Sequence, residues 1–424
     1  MNQADRPERG QRCHRLARRA GAGAALLASL LVTITLHASQ RPQVMAHYMP
    51  WYSTKEVSGH WGWHWTMNKF DPEKKLPDGR REAASHDYPL IGLYDSGDPH
   101  ALECQVQLMK LAGIDGVIVD WYGIRKHNDY APVHANTQKL ISVIKRAGLK
   151  FAICYEDQSI KHMVAGGALK KEDALSHGRE VMRWMNENWF RDEAYLKVDG
   201  APLLLVFGPQ YFEEPAQWRE LFSGLSLQPR LHVLPHLMKK AGTDRKYGWP
   251  PVHGGKEVKP RDWRASLDRL YSGGSVADSV VGVAFPGFRD IYAEAGLHDS
   301  YGRIAENNGA TFRETFDRAM ASGSKVVQIA TWNDYGEGTV IEPTRRNEFR
   351  FLEDVQRRLR PVATDGRRFE TSALRLPVEL YRLRKRLADE ESRTGTLNGI
   401  AAMLFEGQVA PAASALKRLQ AKVR

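Results

Sequence analysis

Short apolar runs alternate along this chain with longer stretches in which apolar positions recur at helical spacing. The runs are VMAHY (44–48), GVIVDW (116–121), KFAICYE (150–156), PLLLVF (202–207), LHVLPHL (231–237), VVGVAF (280–285) and KVVQIATW (325–332), with a weaker one at Arg245–Trp249. Unbroken β-branched runs predict strands covered on both faces, and the amphipathic stretches between them predict the crossovers of a parallel sheet. Those stretches fall at 99–113, 136–148, 174–190, 215–224 and 311–322. Seven strong runs and one weak one between 44 and 332 fit a (β/α)8 TIM barrel over 41–344. An open doubly wound sheet is the competitor, but it calls for a glycine-rich phosphate loop after the first strand, and neither GxGxxG nor GxxxxGK[ST] stands there. The segment 49–98 is too long for a plain connection. In a barrel, such loops at the C-terminal mouth hold substrate.

The alternation stops after Pro343. Residues 345–424 predict a small helical appendage, with LYRLRKRLADEE (380–391) and LNGIAAMLFEGQVAPAASALKRL (397–419) forming a hairpin on the barrel. At the other end, six arginines within residues 1–20 precede an apolar run, 21–38, that closes on small residues. That is the layout of a secretory signal peptide over 1–38, so export to the periplasm or beyond is expected, an uncleaved N-terminal anchor being the alternative. Arg18–Arg19 hints at a twin-arginine route, and Cys13 precedes the apolar run, which argues against a lipid anchor.

Composition narrows the classes. The 424 residues are 42% hydrophobic and 26% charged, an ordinary globular balance that excludes a disordered, collagenous or coiled-coil chain. Three cysteines cannot make a disulfide scaffold, and Cys104 and Cys154 read as buried thiols. The net charge of +11 is uneven: residues 345–424 carry 18 Lys+Arg against 10 Asp+Glu, while 41–344 is close to neutral. A neutral body argues against a nucleic-acid partner. The basic appendage reads as a solvated helical face, or as weak attraction to an anionic envelope.

The strongest chemical signal is TWNDYGEGTVIEP (331–343), which follows the last strand. Asp334 and Glu337 are three apart in a glycine-containing turn, a spacing that aims two carboxylates into one cleft. A carboxylate pair flanking a scissile bond is the usual requirement for glycoside hydrolysis. Other strand ends repeat the theme: His47, Tyr48 and Trp51 on the first, Asp120, Trp121 and Tyr122 on the second, Tyr155 and Glu156 on the third. His236, Trp249, Trp332 and Asn333 end later strands, and all of these are candidate substrate-binding residues. Trp51, Trp61, Trp63 and Trp65 crowd the first long loop, where flat indoles can cover sugar faces and at least two should simply pin the loop. His60 and His64, flanked by His47 and His86, come without HExxH or CxxC, so no metal and no cofactor is expected.

These residues resemble glycoside hydrolase families 71 and 99 and their bacterial relatives. The similarity runs through AHYMPWY (46–52), WGWHW (61–65), ASHDYPLIGLYDSGDP (84–99), LMKLAGIDGVIVDWYG (108–123), FAICYED (151–157), PGF (286–288) and TWNDYGEGTVIEP (331–343), and spans 41–345. It implies a secreted barrel glycosidase acting on α-linked glycans, mannosides in one family and α-1,3-glucans in the other. It further implies that Asp334 takes a base position which deprotonates the sugar 2-hydroxyl to give a 1,2-anhydro sugar. Glu337 takes the acid/base position, and Glu156 a third carboxylate that binds the −1 sugar. The mannosidases carry Glu at the base position; Asp334 is one methylene, about 1.5 Å, shorter. That departure bears on the anhydro route and on mannose preference. The leading expectation is a monomeric glycosidase of α-linked oligo- or polysaccharides. A non-catalytic glycan-binding barrel and a protein of envelope polysaccharide assembly are the alternatives.

Overall fold

In the computed structural model, residues 41–363 and 366–422 are described. The export-signal segment 1–38 lies outside them. Each apolar run forms a strand: β1 Gln43–Tyr48, β2 Gly116–Trp121, β3 Lys150–Tyr155, β4 Ala201–Val206, β5 Arg230–Val233, β6 Lys246–Tyr247, β7 Val280–Ala284 and β8 Val326–Ile329. The weak run survives as the two-residue β6. All eight are parallel, β1 pairs with β8 (Ala46 opposite Ile329), and β3 closes on β4 (Cys154 opposite Leu205). The closed barrel predicted from the sequence is therefore present. Closeness at β2 demands glycine: a Cβ on Gly116 would lie 1.9 Å from the Lys150 carbonyl oxygen.

The surrounding helices follow from local chemistry. Helix α1, Pro99–Ala112, starts where the Asp98 side chain accepts the His100 N–H, takes Pro at its first position, and stops at Gly113 with φ 87°. Helices α2 (Tyr130–Arg146), α3 (Ala174–Asn188), α4 (Pro215–Phe222), α5 (Pro260–Tyr271), α6 (Ala310–Ala321) and α7 (Arg350–Leu359) follow their strands. The amphipathic reading omitted α5, whose apolar stripe is only Trp263, Leu267 and Leu270 in an otherwise charged sequence. Those three side chains are buried, which is enough to dock it.

Beyond α7 lie α8 (Leu376–Arg386), α9 (Glu391–Phe405) and α10 (Val409–Lys422). Leu397, Ile400, Leu404, Leu416 and Leu419 join the same buried cluster as the barrel residues. Part of the positive charge is consumed internally. Buried Arg384 forms a two-pronged pair with Glu103 of α1 at 2.8 and 3.1 Å, and Lys385 reaches Asp98 at 2.7 Å. Cys104 and Cys154 are free, buried thiols. Among the described residues, no helix is long and apolar enough to cross a membrane.

Candidate active site

The loop 331–343 leaves β8 at the barrel mouth and folds back on itself. Thr331 N–H donates to the Thr339 carbonyl at 2.8 Å, Asp334 N–H to the Thr331 hydroxyl at 2.8 Å, and Glu337 N–H to Asp334 Oδ1 at 3.0 Å. Arg289 N–H fixes the Glu337 carbonyl at 2.9 Å. Gly338 lies at φ 65° with a would-be Cβ 2.6 Å from the Arg289 oxygen, so the turn tolerates no side chain there. This geometry turns both carboxylates into one cleft of about 950 Å³, which Asp120 and Glu156 also line.

A buried polar network supports the loop from behind. Glu342 accepts from Gln105 at 2.7 Å and from the hydroxyls of Tyr94 and Tyr335 at 2.9 Å each. Asn333 clamps Met49 through both its backbone groups, at 2.8 and 2.9 Å, and donates to Tyr94 at 3.0 Å. Tyr48 joins through Gln105 at 2.6 Å.

Strand geometry sorts the predicted binding residues. His47, Trp51, Asp120, Tyr122, Glu156, His236 and Trp249 line the cleft with Asp334 and Glu337. Tyr48, Trp121, Tyr155, Trp332 and Asn333 do not. Successive residues of a strand point to opposite faces. With His47 and Asp120 directed inward, Tyr48 and Trp121 pack outward against the helices, where Trp121 meets Trp184 and Trp189. Tyr155, next to inward Glu156, is likewise fully buried beside Trp121. Trp332 is fully buried, and Asn333 serves the supporting network instead of the cleft. Of the clustered indoles, Trp51 and Trp63 line the cleft; Trp65 is buried under the loop and Trp61 is tied to Glu73.

Several lining residues carried no substrate signal in the sequence. His64 stacks on Trp51 with ring centroids 4.1 Å apart, so its role is packing and lining beside Asp129. Tyr292 and Tyr301 come from the connection after β7, and Gln158, which donates to Glu156, from the start of the short helix after β3.

Burial makes these acids reluctant to ionise. It pushes Asp334 up to about 6, against hydrogen bonds from the Glu337 and Gly336 N–H groups that pull the other way. Burial also raises Glu156 to about 7, despite support from Gln158 and Asp120. Glu337 is raised by burial and then by the charges of Asp334, Asp290 and Glu156, and its Oε2 has no hydrogen-bond partner among the described residues. Asp120 is raised by burial and by Glu156. One proton or more is thus retained among the four near neutrality, the condition for an acid and a base to work side by side.

A stability signature follows. A carboxylate with a raised folded pKa stabilises below its unfolded value, and that contribution disappears as pH climbs through the folded one. Glu337→Gln is therefore expected to be more stable than wild type at pH 7.5, because burial and the charges of Asp334, Asp290 and Glu156 oppose ionisation of the carboxyl it replaces. The gap should close toward pH 4.5. Urea midpoints at both pH values check this; a pH-independent gap would contradict it.

His47, Asp120 and Cys154 place ligand atoms within 4.8 Å of one another at the cleft floor. His47 already shares Nδ1 with Gln328 at 3.0 Å, and burial raises the Cys154 thiol well above its ordinary range. The three form a buried polar layer beneath the cleft.

Known proteins share this arrangement of chain. The family model described as Glycosyltransferase WbsX matches residues 44–247. A human glycoprotein endo-alpha-1,2-mannosidase-like protein is 22% identical over 334 residues, covering 70% of this chain and 67% of the relative. The rat glycoprotein endo-alpha-1,2-mannosidase is 33% identical over 88 residues, so the chain spans about a fifth (19%) of that relative's length. The chain resembles glycoside hydrolase families 71 and 99. This family 71/99-like barrel shares its fold with the GH99 endo-alpha-mannosidase from Bacteroides thetaiotaomicron, at 18% identity and a TM-score of 0.54, over 75% of this chain and 95% of the other. It also matches a glycoside hydrolase-like protein with a TM-score of 0.51 at 12% identity.

Proposed function

We propose that this chain is an exported glycoside hydrolase that cleaves α-linked mannosides or glucosides within an oligo- or polysaccharide. The observation that carries the reading is the pair Asp334 and Glu337 on one rigid turn, opening into a cleft with Glu156, Asp120 and aromatic walls. Trp51, Trp63, Tyr122 and Trp249 supply flat apolar faces for sugar rings, and the carboxylates and imidazoles supply hydroxyl partners.

In the reaction, Asp334 takes the proton of the sugar 2-hydroxyl while that oxygen attacks C1, and Glu337 protonates the departing glycosidic oxygen. The product of this step is a 1,2-anhydro sugar. Glu337, now a carboxylate, takes a proton from water, which opens the three-membered ring at C1; Asp334 returns its proton to the 2-oxygen. Asp334 spends Oδ1 on the Glu337 N–H, which leaves Oδ2 for the 2-hydroxyl. The shorter side chain requires the −1 sugar to sit deeper than over a glutamate, against Glu156. The charge remaining on the exposed faces of the C-terminal helices suits weak attraction to an anionic envelope near the substrate.

The test is release of reducing ends from α-mannan and from α-1,3-glucan. Turnover of one of them, lost in Glu337→Gln, is the expected result. If wild type and Glu337→Gln behave alike on every α-glycan, the reading is wrong. Binding without turnover would make the barrel a glycan-binding module.

A second reading is favoured by the WbsX family description. The same carboxylates could hand the activated sugar to an acceptor hydroxyl in place of water. Product analysis with an added oligosaccharide acceptor separates the two: lengthened chains in preference to hydrolysis would mean transfer.

A further inference from the structure

A second cavity, about 490 Å³, adjoins the cleft across the segments 286–289 and 338–340. Arginine dominates its ionisable lining: Arg289, Arg303, Arg346 and Arg350, against the single carboxylate Glu306. Two of these cations are already engaged. Arg346 grips Asp87 with two bonds of 2.8 and 2.9 Å and meets Glu306 at 3.0 Å, while Arg350 meets Glu306 at 3.5 Å.

The other two are placed differently. Phe288–Arg289 and Arg303–Ile304 form a small antiparallel ribbon in which Arg303 stands directly opposite Arg289. Directly opposed residues project from the same face, and like charges there repel. Phe288 and Ile304 are buried on the opposite face, so the ribbon cannot rotate to separate the cations. Glu257 bridges to Arg303 along its other edge, yet neither arginine has a carboxylate within 4.0 Å among the described residues. Two opposed guanidinium groups on a fixed ribbon, beside a polar cavity, suit a shared anion that each can bind through paired N–H donors. The cavity also sits on the loops that follow β7 and β8, a frequent seat for phosphate groups in this fold.

We propose that this cavity is an anion site in which Arg289 and Arg303 jointly bind a phosphate, sulfate or carboxylate group. The Arg289 N–H holds the Glu337 carbonyl at 2.9 Å, which makes an acidic substituent on a glycan one source, and free inorganic anion the other. Only the first source rests on the glycan-cleaving reading.

The test uses the whole chain and needs no turnover. Thermal melts and calorimetric titrations are run with inorganic phosphate and sulfate against chloride at matched ionic strength. They are repeated with a phosphorylated or uronate-bearing α-linked oligosaccharide and its neutral counterpart. Phosphate or sulfate is expected to raise the wild-type Tm by about 2 °C or more. Arg289→Gln, Arg303→Gln and the double variant should weaken anion binding at least about tenfold, one lost charge-assisted contact. With chloride alone they should melt no lower than wild type, because a like-charge repulsion is removed. Preference for the acidic over the neutral oligosaccharide, lost in the variants, assigns the anion to the glycan. Inorganic anion binding without that preference assigns it to free anion. If wild type shows no response to phosphate, sulfate or acidic oligosaccharide, or the double variant responds as wild type does, the site does not exist.

Discussion

Replacing Glu337 with Gln is expected to lower kcat on the matching α-glycan by about 10³-fold, within the range removed when a positioned acid/base is lost. KM should move far less, because Gln keeps the size of the side chain and most of the cleft's contact with sugar. The substitution leaves the backbone bonds of the loop intact: the Glu337 N–H to Asp334 Oδ1 and the Glu337 carbonyl to Arg289 N–H do not involve its carboxyl. Asp334→Asn should cost a comparable factor, and the double variant little more than either alone, since the two act in one step. Reducing-end assays at saturating substrate, with urea midpoints confirming a folded protein, decide the matter. A Glu337→Gln enzyme retaining more than about a tenth of wild-type kcat would remove Glu337 from the acid/base role.

The largest stability effect is expected away from the cleft. Glu103→Ala leaves Arg384 buried, with side chains on both sides of the pair no more than 8% exposed before the change. An uncompensated buried charge costs about 3–5 kcal/mol, whereas an exposed pair of the same kind is worth less than about 1 kcal/mol. Exchanging both partners, Glu103→Leu with Arg384→Met, should recover most of the loss because no buried charge is then stranded; Arg146, which also meets Glu103 at 3.2 Å, is more than half exposed. Urea unfolding of the single and double variants measures this. A cost below about 1 kcal/mol for Glu103→Ala would mean that the Glu103–Arg384 pair does not hold α8 in place.

Sequence reading recovered the barrel because each strand is covered on both faces, so its residues form an unbroken apolar run. The same property hid the sidedness of those strands. In GVIVDW nothing marks Asp120 as inward and Trp121 as outward, since both are buried. Only the closed barrel, with its axis on one side and helices on the other, separates them. Tyr48 and Tyr155 were misplaced for the same reason. Asp334 and Glu337 were legible because their spacing in a glycine-containing turn is itself the geometric statement. Glu342, eight residues beyond Asp334, carries no local mark of its role; its partners Gln105 and Tyr94 come from distant parts of the chain. Tyr292 and Tyr301 lie in an irregular connection with no periodicity to orient them. Arg384 reads as one more charge in LYRLRKRLADEE, and only the docking of α8 on α1 reveals its burial.

The separation between the anchored loop and the walls around it bears on how this scaffold can diversify. Its paired carboxylates hang from one segment that interior tyrosines, Gln105 and Glu342 immobilise and that Arg289 and Ile291 brace from the connection after β7, whereas Trp63 and Trp249 arrive on separate excursions of the backbone. Insertions or exchanges in those excursions leave the proton-handling unit undisturbed. A scaffold built this way can change what its outer walls contact while Asp334 and Glu337 keep their places.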